Sequence, residues 1–387
     1  MALLLDRLFS SVALSHMAVD LLNGQRAVLL AYWSVPFGLN NAALALISTI
    51  YVVIGALLQP IFGYISDRIG PRWIVVGGVL WISIFFIIAV FTPGKDALFF
   101  LLAASLGSAS FHPAGTMQAT DRGHTHFSGR ETTATAYFFV FGQTGYFFGP
   151  IVGGPLLDRF GPPGLLPLAV VGLMVGLSAA RQMRVSPHDK NIPLSETPRL
   201  INPNRIKLTF LPLVLFLVLA AFQGWVQQNM ITFVPKYLLD LGQNASVYGV
   251  IAGLFMGGSA IGNALAGHLA DHYGKRLITI GSFALSGLPI LMISHIGWSP
   301  WLFALAPLAG ALTGAPYPII VVLAQRMVPG KMALASGLIL GFLFSSGALG
   351  TWFTGYLADI WGFPFIFQMT AGLAFIAAVF SLSLIDQ

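Results

Sequence analysis

An acid in the middle of an apolar run is the feature of this chain best suited to chemistry. Asp20 lies inside the run 8–32, whereas Asp6, Asp67, Asp96, Asp121, Glu131, Asp158, Asp189, Glu196, Asp240, Asp271, Asp359 and Asp386 fall at the ends of such runs or between them. An ionised carboxylate at the centre of a bilayer is disfavoured by about 2.5–3.5 kcal/mol on insertion scales, so it must be paired, hydrated or protonated. A carboxyl held there can load and release a proton as its surroundings change. With about 100° of rotation per residue and His16 at zero, Asp20 falls at about 40°, Asn23 at about 340° and Arg26 at about 280°. One flank of the first helix therefore carries all four. His112, beside Pro113, is the other deep histidine of the first half. An acid exchanging protons with a pathway that contains His and Arg can couple to a ligand, because the ligand's charge acts on the same groups. Plainer readings stand beside this one. His112 can satisfy a carbonyl freed by Pro113, Asp20 and His16 can form a static pair, and Arg26 can reach to the interface.

Residues able to hold a small molecule follow from their polarity within apolar runs. In the first half these are Asn23, Arg26, Tyr137 and Gln143; in the second they are Gln223, Trp225, Gln227 and Tyr317. Any one of them can equally bond a neighbouring helix. No acid or base lies mid-run in the second half, which assigns proton coupling to the first. Some of the 31 Phe residues would line an apolar pocket.

The elements that must position these groups follow from composition. Only 8% of the 387 residues are charged and 56% are hydrophobic, against about 25% charged in a soluble domain. Such a chain belongs in a bilayer, and disordered, collagenous and nucleic-acid-binding classes are excluded. With no cysteine, disulfides and thiolate chemistry are excluded too. Twelve apolar runs are long enough to cross: 8–32, 42–66, 73–92, 97–119, 132–156, 164–182, 208–234, 246–269, 277–296, 301–325, 333–357 and 364–384. Helices satisfy their own backbone in lipid, so the expectation is an all-α integral membrane protein with twelve transmembrane helices in two pseudo-symmetric six-helix bundles. With both termini cytoplasmic, the outer loops hold only Lys95, Arg159 and Lys236, Arg26 lies within the first run, and every other Lys and Arg falls inside. That asymmetry sets the orientation. The first run reads as a retained helix rather than a cleaved signal. The proline-rich, basic segment 183–207 is expected to be a cytoplasmic linker between bundles 1–182 and 208–387.

An internal repeat supports two halves. Gly63, Asp67, Arg68, Gly70 and Arg72 follow the second run. Gly267, Asp271, Gly274 and Arg276 follow the eighth, with Gly, Asp, Gly and Arg at the same spacing. A shorter version, Gly154, Asp158 and Gly161, is matched by Gly355, Asp359 and Gly362. Each small residue allows close helix approach, and each Asp can accept from the free N–H groups at a neighbouring helix start, so the pattern is a candidate conformational latch. An isolated copy could be a turn with a charged end; two copies at matching places argue otherwise.

These repeats resemble the loop signature of the major facilitator superfamily of secondary transporters. The resemblance implies two bundles that rock about a central site. In the fifth run, Gly145, Gly149, Pro150, Gly153 and Gly154 are similar to the stretch that marks the superfamily's exporters, usually proton antiporters, with Ala136 replacing one earlier glycine of that pattern. Pro150 also removes a helical hydrogen bond and invites a kink. His16 with Asp20, and Phe111-His112-Pro113, resemble the fosmidomycin-resistance exporters, although Val19 and Ala114 depart from that pattern. The implied function is proton-coupled efflux of a small molecule or drug by alternating access. Proton-coupled uptake and lysolipid flipping are the rival readings. No zinc-protease, phosphate-loop or nucleophile-elbow motif is present, so no enzyme is expected. The expected energy source is the proton gradient, with no cofactor and no metal. The expected partners are a small molecule, protons and lipid, with no nucleic acid, and the expected state is a monomer in a prokaryotic inner membrane.

Overall fold

The computed structural model describes residues 2–126, 131–183, 210–327 and 332–384; nearly all of the expected linker, and the side chains of Asp67 and Asp271, lie outside the described residues. Helices make up the regular structure among them. After a short turn at Ala2–Leu5 come α1 (Arg7–Ser34), α2 (Asn41–Ile69), α3 (Pro71–Phe91), α4 (Asp96–His126), α5 (Glu131–Phe160) and, beyond a tight turn at Pro162–Leu165, α6 (Leu166–Gln182). The second half holds α7 (Phe210–Asp240), α8 (Ala245–Tyr273) and α9 (Lys275–Ile296). Helix α10 begins as Leu302–Gly314 and runs on through Ala315, which keeps helical angles, into Pro316–Met327. The stretch Met332–Phe380 is broken at Gly362, where φ is 75°, into α11 (332–361) and α12 (363–380).

Among the described residues, 9 helical stretches are long and apolar enough to cross a membrane, the last of them Leu338–Ser383. Helix α1 is not one of these. It carries His16, Asp20, Asn23, Gln25 and Arg26, and all five are buried, so its polar groups face protein rather than lipid. Large apolar side chains such as Leu57, Phe99, Met174 and Trp301 instead point outward. A surface of that kind suits acyl chains.

The repeat read in the sequence has a backbone cause. Gly70 and Gly274 end α2 and α8 with φ of 87° and 91°, while Gly161 and Gly362 turn the chain after α5 and α11 with φ of 66° and 75°. L side chains avoid that region, so these positions need glycine. The matching starts are also shared: Asn40 caps α2 by accepting from Ala43 N, and Asn244 caps α8 by accepting from Val247 N. Two elements differ from expectation. Helix α7 does not stop before Pro235 but continues to Asp240, so Lys236 is no loop residue; it is buried and ion-paired with Asp240 one turn on. Neighbouring helices can satisfy the carbonyl that proline frees. The eleventh and twelfth runs, in turn, are separated by the single turn at Gly362 rather than by a loop.

Ties between the halves gather at one end. Asp359 at the end of α11 accepts from Asn41 N (2.8 Å) and Ala42 N (2.9 Å) at the start of α2. Its counterpart Asp158 at the end of α5 accepts from Ser246 Oγ (2.9 Å) at the start of α8. Farther in, Thr49 Oγ1 donates to Ala348 O and Ser48 meets Thr232. Toward the other end, Leu57, Val140 and Leu338 are exposed, and Gly55 and Gly341 have open space beside them. The halves thus meet at one end and part at the other.

Candidate functional site

Helix α1 can carry a buried charged flank because α5 lies directly against it. A methyl group added at Gly145 would come within 2.8 Å of Leu21 N, and the stripe continues through Gly149, against Leu21 O, and Gly153, against the Gln25 amide. On its other side α5 meets α8 at Gly154, whose added methyl would lie 3.1 Å from Gly249 Cα. Gly145, Gly149 and Gly154 are thus small because two helices approach them at backbone distance, and Gly153 because the Gln25 side chain fills the space beside it. Pro150 packs on Gly24 of α1. The same stripe extends back to Gly142, where an added methyl would come within 2.7 Å of Asp20 Oδ2.

The expected proton-coupling trio comes together there. Asp20 Oδ2 lies 3.1 Å from His16 Nε2, and Asp20 Oδ1 lies 3.3 Å from His112 Nε2. Asn23 Nδ2 donates to Asp20 Oδ1 at 2.9 Å and to Ser108 Oγ at 2.9 Å. Both imidazoles are oriented from behind: His16 Nδ1 is 2.7 Å from Phe138 O and His112 Nδ1 is 2.8 Å from Ser108 O. His16 also stacks on Phe138, with ring centroids 4.0 Å apart. His112 therefore bonds a carbonyl in its own helix, that of Ser108, and meets Asp20 as well.

Hydrogen-bond accounting sets the charge of the trio. A carbonyl oxygen only accepts, so each Nδ1 carries a proton, and each Nε2 faces a carboxylate oxygen. Two such contacts need two hydrogens between them. A carboxyl group supplies at most one, so at least one imidazole is doubly protonated when both contacts are made. The trio then has a net positive charge.

Arg26 adds a second cation. It is 7% exposed, its guanidinium sits 5.1 Å over the Tyr51 ring, and its Nε has no hydrogen-bond partner among the described residues. Tyr51 OH donates to Asn23 Oδ1 at 2.6 Å, so a continuous path runs from Arg26 through Tyr51 and Asn23 to Asp20. Arg26 does not snorkel to an interface; it is held inside. Tyr146 of α5 is close enough to Arg26 to interact electrostatically, and Tyr317 of the second half is close enough to Asp20.

The other ligand candidates divide. Tyr317 borders this region, and the Gln143 carbonyl oxygen is buried without a partner among the described residues. Tyr137 stands exposed at the parted end. Trp225 and Gln223 serve packing: Trp225 Nε1 donates to Thr354 Oγ1 at 2.8 Å, and Gln223 Nε2 reaches Thr313 O at 3.4 Å, at the edge of bonding distance. Gln227 Nε2 donates to Ser259 Oγ at 3.1 Å, while its carbonyl oxygen has no partner among the described residues. Sequence reasoning missed Tyr51, Ser108, Phe138, Gly142 and Tyr146. Only Gly142 carried a signal, three positions before Gly145 on one helical face.

The candidate latch is visible in part. Arg68 lies 4.6 Å over the Tyr64 ring, and Arg72 Nη2 donates to Ala180 O at 2.9 Å, so Arg72 ties α3 to the end of α6. Gly63 is not forced by a close neighbour, since an added methyl would meet Pro113 at an ordinary 3.6 Å. Arg276 opens α9. The Asp67 and Asp271 side chains and the surroundings of Gly267 lie outside the described residues. The end-on geometry expected of the repeat's acids appears at Asp359, in its shorter version.

Comparison with known proteins agrees with this architecture. The chain is similar to the fosmidomycin resistance protein of Escherichia coli (strain K12), 24% identical over 375 residues, covering 95% of this chain and 90% of that protein. Its fold is similar to a bacterial homolog of the human lysosomal transporter Spinster in an inward-facing, occupied conformation, with a TM-score of 0.80 at 16% identity over 97% of this chain and 95% of that one. The nucleoside transporter NupG superposes with a TM-score of 0.74 at 14% identity, covering 97% and 98%. The family model of the Major Facilitator Superfamily matches residues 8–244 and 216–386. A repeat whose paired glycines close paired helices, a buried charged flank in the first helix and that full-length match lead to one conclusion: this chain is a membrane transporter, not an enzyme, and belongs to the Major Facilitator Superfamily.

Proposed function

We propose that the protein exports a small molecule in exchange for protons, by alternating access between two six-helix halves made of twelve spans with both termini in the cytoplasm. The observation that carries this reading is the buried path from Arg26 through Tyr51 and Asn23 to Asp20, His16 and His112. Arg26 is a desolvated cation with no counter-ion among the described residues, which favours a cargo with an anionic group. Such a group would draw the guanidinium away from Tyr51. The hydroxyl bridge to Asn23 would then loosen the Asp20 contacts that hold the imidazole protons; where that loss outweighs the pull of the cargo's negative charge, a proton leaves the trio for the cytoplasmic side as cargo is bound. Coupling of this kind needs no ligand contact to Asp20 itself.

Direction is supported by three things. The glycine stripe of α5 resembles that of exporters. The chain is similar to proteins named for fosmidomycin resistance and multidrug resistance. The basic residues orient the parted end toward the cytoplasm, where an exporter loads. A prokaryotic inner membrane fits this orientation.

Everted membrane vesicles with an acid interior test the proposal, using an anionic phosphonate as probe beside a lipophilic cation and a lysolipid. The expected result is accumulation of the phosphonate that collapses with the gradient and is lost in Asp20→Asn. Full gradient-driven transport by Asp20→Asn would remove Asp20 from coupling, and accumulation only under the opposite gradient would make the protein a symporter.

A further inference from the structure

The trio has a second property that proton coupling does not require. His16 Nε2, His112 Nε2 and a carboxylate oxygen of Asp20 all lie within 4.8 Å of one another. Around a tetrahedral ion with ligands at about 2.0–2.1 Å, neighbouring ligand atoms stand about 3.3 Å apart. The two nitrogen–oxygen separations, 3.1 Å from His16 to Oδ2 and 3.3 Å from His112 to Oδ1, are near that spacing, each to its own oxygen of the one carboxylate. Both imidazoles use Nδ1 on a backbone carbonyl, which aims the Nε2 atoms at the shared carboxylate. Histidines that bind metals are held in this way by their other ring nitrogen. Asn23 holds the carboxylate by donating to Oδ1, the oxygen that also faces His112.

Gly142 keeps the ligand atoms free of a competing side chain: an added methyl there would come within 2.5 Å of His16 Nε2 and 2.7 Å of Asp20 Oδ2. Entry is open as well, because the His112 side chain is 23% exposed. Two imidazoles and one carboxylate suit zinc, cobalt, nickel or iron, whereas calcium and magnesium want oxygen ligands throughout.

From this geometry we infer that His16, Asp20 and His112 form a binding site for one divalent transition-metal ion, zinc being the type case, with the fourth coordination position open to water or an anion. The expectation of no metal was drawn from the sequence, where His16 and Asp20 sit one turn apart and His112 comes from a different helix with no ligand spacing to betray it. Binding an ion there needs both Nε2 atoms free of protons, so it competes with protonation of the trio, and the inference holds whichever way transport runs.

Purified, untagged protein in detergent, titrated with Co²⁺ and then Zn²⁺, tests it. The expected result is visible absorption of four- or five-coordinate cobalt, saturating at one ion per chain and displaced by zinc. In His112→Gln and in Asp20→Asn, affinity should fall tenfold or more, since even changes to groups that only hold a ligand in place lose about 10–100-fold. Zinc should raise the melting temperature of the wild type but not of His112→Gln. Wild-type protein that shows no such bands, or binds no more metal than the variants do, overturns the inference whether or not the variants fold well.

Discussion

The two halves solve the same problem, polar groups inside a helix bundle, in opposite ways. In the first, Asp20, His16, His112 and Arg26 concentrate charge on α1 and leave one cation without a counter-ion among the described residues. In the second, every buried group at the corresponding depth of α7 is neutral. Asn229 donates to Thr354 Oγ1 and Thr370 Oγ1 at 3.2 and 3.0 Å, and Trp225 shares Thr354. A charged cluster changes its contacts whenever a proton or ion arrives. A network of amides and hydroxyls has one best arrangement and keeps it. On the proposed mechanism the first half would switch and the second would serve as the frame it moves against.

The contrast can be broken most decisively at Asp20. In Asp20→Asn, gradient-driven uptake into vesicles should fall to the level of empty controls, while equilibrium binding of an anionic probe at Arg26 persists. Second in size is the α1–α5 seam. Gly145→Leu forces a side chain against the backbone of Met17 and Leu21, and overpacking of this kind costs about 1–3 kcal/mol, occasionally more. Thermal unfolding in detergent should register that loss together with slowed transport. On the neutral side, Asn229→Ala removes two buried hydrogen bonds and should cost about 1–3 kcal/mol of stability. Its transport should keep full dependence on the gradient; a loss of coupling there would erase the distinction between the halves. The smallest effect lies at the joined end. Asp359→Ala strips the acceptor from two backbone amides at the start of α2, a capping loss of about 1 kcal/mol. Asp158→Ala releases only a serine hydroxyl and should shift less. Accessibility of cysteines introduced into this cysteine-free chain, labelled from either side, would read both shifts.

The sequence makes the architecture legible because membrane helices announce themselves by length and hydropathy, and because glycines with positive φ recur at fixed places in both halves. Asp20 was legible for a similar reason, since an acid in a long apolar run has few other uses. Its partners were not. Tyr51 and Ser108 are ordinary residues in apolar helices, and only the crossing of α1, α2 and α4 makes them neighbours of Asn23. The carbonyl of Phe138 is backbone, invisible to any motif. Trp225 and Gln223 misled in the opposite way: polarity in an apolar run looks the same whether it awaits a ligand or bonds the next helix, and α11 and α10 supply partners that a linear reading does not see. Lys236 was misplaced because Pro235 signals an end that neighbouring helices override.

Helix α5 touches α1 along one glycine edge and α8 along another, with no side chain between the backbones at Gly145 and Gly149 on the first edge or at Gly154 on the second. Padding of that kind is what lets a joint absorb small rotations. Without it, a change of tilt at the protonatable cluster passes straight through the α5 rod to the opposite half, like the shaft of a rocker with no play in its bearings.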